Sequence, residues 1–497
     1  MSPVAVSVPQ LQATDPGRWR ETATAWRAWA ATAGRWAAEL REHAARLRTI
    51  WTGSAADAAS AHLAVLIRRL TLFRLGCWVA DQALSEFAEG LIRARTLLAS
   101  APTDSTVAGG AGPSGQSAVR REAAVRREAA EVVLTIAAQA DDTAASRLGS
   151  LKGSATATSP LVDPPAGTAS PAEVRRWWEA LEPAQRRWLL ATEPARLGSL
   201  DGVPAADRDL ANRLTLDELP AGLAGLGPLR ERLADGERTR AYLLRIDPAG
   251  EGQAVVALGD PDRAGHVLTQ VPGMTADLAS YGGELARAER IGVRATELAP
   301  ATATSAIMWL GYDAPDFVHE AASRSRATAG ATGLRQFQEG LRATHLGPPA
   351  HQTVLGHSYG SLVVGSAAAQ PGLATDEVVF VGSPGVGVES VAELSVPPSQ
   401  VWSSTSRSDV IQWAAVAPRS LVEDLALTQA VPGGALLAFT RPEQDLYFGT
   451  NPSDPAFGAR VFASEPDAGH LGYWEPGSAA LDALAGITVG RDDVIPR

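Results

Sequence analysis

Ser358 is the residue of this sequence best suited to chemistry. It lies in Val354-Leu355-Gly356-His357-Ser358-Tyr359-Gly360, an apolar run that ends in Gly-x-Ser-x-Gly. A serine hydroxyl becomes a nucleophile only when a base takes its proton and the surrounding backbone leaves it room to meet a carbonyl carbon. A sharp turn from strand into helix supplies that room, and it demands residues with almost no side chain two places before and two places after the serine. Gly356 and Gly360 meet the demand, and Ser361 to Ala369 is small and apolar, as expected of a helix packed closely on a buried strand.

A serine needs a base, and the base needs an acid to orient it. In sheet enzymes with this turn the chain order is Ser, then Asp or Glu, then His. Of eight histidines, only His470 follows Ser358, and it sits in the loop Asp467-Ala468-Gly469-His470-Leu471-Gly472-Tyr473. His357 adjoins the serine and reads as support for the turn. His43, His62, His266, His319, His345 and His351 precede it and read as surface or packing residues. For the acid, Asp409 follows a strand-like Gln400 to Ser403 and a polar turn, with Asp454 as the main alternative and Asp376, Asp424 and Asp445 as weaker competitors. Backbone N–H groups must receive the charge that develops on the attacked oxygen. Tyr359, next after the serine, offers one, and Met274, in Val271-Pro272-Gly273-Met274-Thr275 at the end of an earlier strand, offers the other. The plain alternative for Pro272-Gly273 is an ordinary turn.

The elements that must hold these residues follow from the texture of the chain. From Ala241 onward short apolar runs alternate with helical stretches: 242–246, 253–258, 266–271, 305–310, 353–356, 377–381 and 400–403. This predicts a mostly parallel sheet covered by helices, with an antiparallel start. Before it, Ser170-Pro171-Ala172-Glu173 opens a helix with a cap, and residues 171–237 read as helices packed on the sheet domain. Residues 16–100 read as two long helices joined at Trp51-Thr52-Gly53-Ser54. Trp19, Trp26, Trp29 and Trp36 recur at helical spacing and predict a tryptophan packing face. The segment 101–116 reads as a loop, and the doubled Ala-Val-Arg-Arg-Glu-Ala of 118–129 as a solvated face of a third helix ending near Leu151. The expected division is therefore 1–151, an α-helical hairpin or bundle domain; 152–170, a linker; and 171–497, the α/β domain.

Composition narrows the function classes. A chain of 497 residues with 45% hydrophobic and 20% charged residues is expected to form two or three globular domains. A net charge of −11 argues against nucleic-acid binding, and no apolar run suggests a transmembrane segment. No conventional signal peptide is visible. The expected location is cytoplasmic, or outside by a specialised non-classical route. A lone cysteine, Cys77, reads as a buried small hydrophobe, and no Cys/His spacing suggests a metal. Gly382-Ser383-Pro384-Gly385-Val386-Gly387 has the spacing of neither a dinucleotide fingerprint nor a P-loop, so no cofactor is expected.

Two family resemblances accompany these residues. The elbow with Ser361, Val381-Gly382-Ser383-Pro384-Gly385, Trp309-Leu310-Gly311-Tyr312-Asp313-Ala314-Pro315, Val271-Pro272-Gly273, and His470 with Tyr473 resemble an actinobacterial α/β-hydrolase family long described as a domain of unknown function. The resemblance runs from about 171 to the end. It implies an α/β-hydrolase fold, lipase- or cutinase-like, with a Ser358, Asp409, His470 triad and with Gly311-Tyr312-Asp313 in a loop near the site. The Trp-x-Gly turn of the first hundred residues resembles small secretion-associated helical hairpins that pair into four-helix bundles. Members of that group often carry a Tyr-x-x-x-acid signal after the second helix, and this chain has no tyrosine before Tyr242. Two functions are thereby expected: a serine hydrolase acting on a small-molecule or lipid ester, or a secretion-associated protein whose hairpin docks a small helical protein partner.

Overall fold

A computed structural model of the chain describes residues 6–100, 113–152, 157–160, 165–220, 222–316, 321, 323–369, 371–411 and 445–496. His319 and Asp424 lie outside the described residues, as do parts of the segments 101–116 and 152–170. The chain divides into two compact units, one made of Met1–Leu161, Glu182–Thr192 and Ala234–Arg240, the other of Val162–Leu181, Glu193–Leu233 and Ala241–Arg497. Residues 182–192 and 234–240, which the helical texture groups with the α/β part, thus belong to the helical unit.

The helical unit contains α1 (Val8–Ala13), α2 (Pro16–Ile50), α3 (Ser54–Ser100) and α4 (Pro113–Gly149). Asp15 caps α2 by accepting from Gly17 N at 2.9 Å. The buried face of α2 is not the tryptophan face predicted above. Ala23, Ala30, Ala33, Ala37 and Ala44 are buried at near-heptad spacing, whereas Trp29 and Trp36 are 54% and 50% exposed. Each of those tryptophans precedes a buried alanine by one residue, a rotation of about 100° around the helix. Small side chains at the seam let α2 and α3 approach closely, and the bulky ones turn outward. Trp19 still packs, edge-on to Phe87 at 5.2 Å. Asp81, fully buried on α3, accepts from Arg27 at 2.7 Å and also pairs with Arg240. The Glu86–Arg147 pair fastens α4 to this hairpin.

The second unit contains α5 (Pro171–Ala180), whose predicted cap is formed: Ser170 N donates to Glu173 Oε2 at 2.8 Å. After α6 (Pro183–Thr192) in the helical unit come α7 (Pro194–Gly198), α8 (Ala205–Glu218) and α9 (Leu226–Ala234). The strands are β1 (Ala241–Asp247), β2 (Gln253–Leu258), β3 (His266–Val271), β4 (Thr304–Leu310), β5 (His351–His357), β6 (Glu377–Val381), β7 (Val401–Ser404), β8 (Asp445–Leu446), β9 (Gly449–Thr450) and β10 (Arg460–Val461). Eight of them form one sheet in the order β1-β2-β4-β3-β5-β6-β7-β10, and β8-β9 form a small hairpin. Within the eight-stranded sheet β1/β2 and β2/β4 are antiparallel and every other pairing is parallel.

Helices cover both faces of this sheet. Successive residues of a strand point to opposite faces, and the neighbours Thr269 and Gln270 of β3 bond to different layers. Gln338 of α11 (Ser325–Thr344) donates to Thr269 Oγ1 at 2.8 Å, while Trp474, ahead of α13 (Ala479–Thr488), donates to Gln270 Oε1 at 3.2 Å. The α10 helix (Tyr281–Leu298) packs with α13, and α12 (Tyr359–Ala368) with α11. The chain therefore has an α/β-hydrolase fold preceded by a helical region. No described helix is long and apolar enough to cross a membrane.

Candidate active site

Ser358 occupies the turn between β5 and α12 with φ 52° and ψ −129°. Among the described residues, Thr275 is the only other non-glycine at positive φ. Such a conformation costs roughly 1–3 kcal/mol, so the surroundings must impose it. They do so by close approach: a Cβ on Gly356 would stand 2.5 Å from Ser361 Cα, and one on Gly360 would stand 2.4 Å from Val271 O. Ser358 N donates to Val381 O of the neighbouring strand at 3.1 Å, and Ser361 Oγ donates to Ser358 O at 2.6 Å. Tyr359 opens α12, where the first N–H groups lack intrahelical acceptors.

Parallel register brings the other candidates to the same edge. Val271 is level with Gly356, and His357 with Val381, so the segments leaving β3, β5 and β6 emerge together. Ligand sites of such sheets lie outside these carboxyl ends. Asp409, on the turn after β7, is fully buried and accepts from His470 Nδ1 at 2.7 Å. Tyr473 Oη donates to its other oxygen at 2.6 Å, and Ile411 N donates to the first at 2.9 Å. Burial opposes ionisation of Asp409, but the hydrogen bonds from His470, Tyr473 and Ile411 N outweigh burial and hold the carboxyl below the usual carboxylate range. An ionised Asp409 fixes the hydrogen of His470 on Nδ1 and leaves Nε2 as an acceptor. An imidazole in that tautomer can take a proton from a hydroxyl.

Two of the alternatives for the acid, Asp454 and Asp376, are engaged elsewhere. Asp454 Oδ1 accepts from Ala456 N at 2.7 Å within its own turn. Asp376 Oδ2 accepts from Arg342 at 2.6 Å and from Gln352 N at 2.8 Å. The remaining described histidines are likewise placed as packing or surface groups: His345 and His351 face the backbone oxygens Ala264 O and Ile487 O, His43 and His62 are exposed, and burial pushes His266 down to about 4.

His357 supports the loop of its fellow imidazole. Its Nε2–H donates to His470 O at 3.0 Å, with the ring centroids 4.6 Å apart. Burial, then the nearby His470 and Arg287, push His357 down to about 3, so it stays neutral. Met274 is half-turned to solvent after β3, and Gly273 before it lies against the serine. Among the described residues, no group of three His, Cys, Asp or Glu is arranged to hold a metal ion.

Two residues of the site escape sequence reasoning as to role. Gly382 has φ 54°, and a Cβ there would stand 2.8 Å from Asp409 Oδ2 and 3.1 Å from His470 Nδ1. Only a glycine after β6 leaves space for the acid and the imidazole to meet; its position after the strand next to the elbow strand is the available signal. Tyr473, three residues after His470, is the second donor to Asp409, and its oxygen also accepts from Ser406 N at 2.9 Å.

A family model described as Alpha/beta hydrolase matches residues 247–418. The uncharacterized protein Rv2079 of Mycobacterium tuberculosis is 32% identical over 391 residues, covering 68% of this chain and 58% of that protein. The uncharacterized protein Mb0988c of Mycobacterium bovis is 35% identical over 190 residues, covering 36% of this chain and 70% of that protein. The chain thus spans 58% of the length of the first of these relatives. No solved structure matches it.

Proposed function

Because the chain belongs to the α/β-hydrolase family, we propose that it is a serine hydrolase that cleaves a carboxylic ester through an acyl-enzyme. The observation that carries this reading is the bond between His470 Nδ1 and the ionised Asp409, formed at the same sheet edge as a serine held at positive φ. In the proposed reaction His470 Nε2 takes the Ser358 proton as Oγ attacks the acyl carbon. The carbonyl oxygen gains the negative charge, and the N–H groups of Tyr359 and Met274 receive it. Collapse of the tetrahedral intermediate expels the alcohol, which leaves with the proton from His470. Water repeats the sequence and releases the acid. A fluorophosphonate probe tests the reading: it labels the intact protein and not Ser358→Ala, and that variant loses about 10⁴-fold or more in p-nitrophenyl ester turnover. Equal labelling of both proteins would refute it.

A second reading, compatible with the first, is that the helical hairpin docks a small helical protein. The exposure of Trp29, Trp36 and Trp51, at 54%, 50% and 44%, supports it, since large aromatic residues concentrate at binding surfaces. A Trp29→Arg, Trp36→Arg variant then loses co-migration with a co-expressed small hairpin protein in size-exclusion chromatography and keeps its ester turnover. If the variant co-migrates as the unaltered chain does, the hairpin docks by another face.

A further inference from the structure

Tyr312 touches none of the proposed reacting groups, yet its hydroxyl ends on the loop that flanks Ser358. Because β3 and β4 are parallel, the segments that leave their C-terminal ends run side by side. These are Pro272 to Thr275 and Gly311 to Pro315. Two hydrogen bonds join them: Tyr312 Oη donates to Pro272 O at 2.7 Å, and Thr275 N donates to Pro315 O at 2.9 Å. The bonds bracket Gly273 and Met274, whose own N–H groups donate to no protein acceptor among the described residues. In a trans peptide the carbonyl and the following N–H point opposite ways. Holding Pro272 C=O on Tyr312 therefore sets the direction of Gly273 N–H, and Thr275, at φ 64°, ends the bracketed stretch.

The bracketed stretch lies against the serine. A Cβ on Gly273 would stand 2.6 Å from Ser358 Cβ and 3.2 Å from Ser358 Oγ. Tyr312 itself has little freedom: it is 3% exposed, and its ring lies nearly parallel to Trp309 and to Tyr359, at 6.2 Å and 6.5 Å. Burial raises its phenol well above the ordinary range, so the group is a neutral donor at any working pH. From outside, Arg326 Nη1 donates to Asp313 Oδ2 at 2.7 Å and to Ala314 O at 3.1 Å.

We propose that Tyr312 is a positioning residue, which through Pro272 aims the Gly273–Met274 backbone at the oxygen that gains charge when Ser358 attacks. The inference rests on the serine-hydrolase reading above. Tyr312→Phe keeps the stacked ring and removes one hydroxyl. Its kcat on p-nitrophenyl butyrate, per active site titrated with fluorophosphonate, is expected to fall about 10- to 100-fold with KM within about two-fold. Affinity for an alkyl boronic acid, which forms a tetrahedral adduct with the serine, is expected to fall by the same factor as kcat/KM. A purely structural role lowers the thermal midpoint or the titrated fraction and leaves kcat per site intact; that outcome overturns the proposal. Arg326→Gln, whose parent side chain is 26% exposed, is expected to give a smaller drop in kcat at unchanged KM. Should Tyr312→Phe fail to fold, wild-type kcat in Arg326→Gln overturns the proposal. If the wild type is labelled and Ser358→Ala is not, these failures leave the hydrolase reading standing. A wild type inert to both probe and ester removes both.

Discussion

His470 meets Asp409 through a space that three other residues keep open or polarised. Gly382 supplies room, Tyr473 supplies a second donor, and His357 holds the His470 carbonyl. Chain order and loop placement select His470 and favour Asp409, and the hydrogen bond between them separates Asp409 from Asp454. Neither Gly382 nor Tyr473 advertises its role in sequence, because each acts on a residue far away in the chain. The neutral state of His357 carries a pH consequence. Its unfolded imidazole takes a proton below about pH 6.5, whereas the folded one stays neutral down to about 3. Between those values the unfolded chain binds more protons, so this contribution to stability is complete above pH 6.5 and is lost as the pH falls toward 3, with a slope of at most about 1.4 kcal/mol per unit. Asp409, held below its ordinary value, works in the same direction at still lower pH. In urea denaturation between pH 6.5 and 4, the wild type is expected to lose stability more steeply than His357→Gln. Parallel slopes would show that His357 does not contribute.

At the scale of elements, the two helices of the hairpin are legible from their periodicity, and the face they bury is not. Tryptophans and alanines both recur at helical spacing along α2, and hydrophobicity alone ranks the tryptophans first. The alanine seam wins because interaxial distance is set by the side chains between the helices, and small ones let a long contact form with few voids. Ala33→Leu is therefore expected to destabilise the protein by about 1–3 kcal/mol through overpacking, read from the denaturation midpoint. Trp36→Ala, on the exposed side, is expected to shift it by under about 1 kcal/mol. The reverse ranking would restore the tryptophan face. In the sheet, strand existence is legible from short apolar runs, and the antiparallel start is observed in β1 and β2. The order β3-β5-β6 and its register bring Pro272, Ser358 and Gly382 to one edge.

At the scale of the whole molecule, the chain passes between its two compact units more often than a division into consecutive domains implies. The helix α6 belongs to the helical unit, where it packs on α3, and its Leu189 and Leu190 are buried, at 0% and 4% exposure. A chain lacking residues 1–161 is accordingly expected to expose them and to associate or bind a hydrophobic dye, seen by light scattering and fluorescence; a monodisperse, dye-silent truncation would contradict this. The sequence by itself determined the strand–turn–helix around Ser358, the single downstream histidine, the alternation of strands and helices, and the cap at Ser170. All of these are local patterns, written in spacings of two to five residues or in composition. Only the tertiary structure decided that Asp409 rather than Asp454 reaches His470, that Gly382 and Tyr473 serve their meeting, that Tyr312 holds Pro272, and that alanines rather than tryptophans line the hairpin seam. These depend on which strand ends become neighbours and on how closely two surfaces can approach, and no short-range period along the chain encodes either.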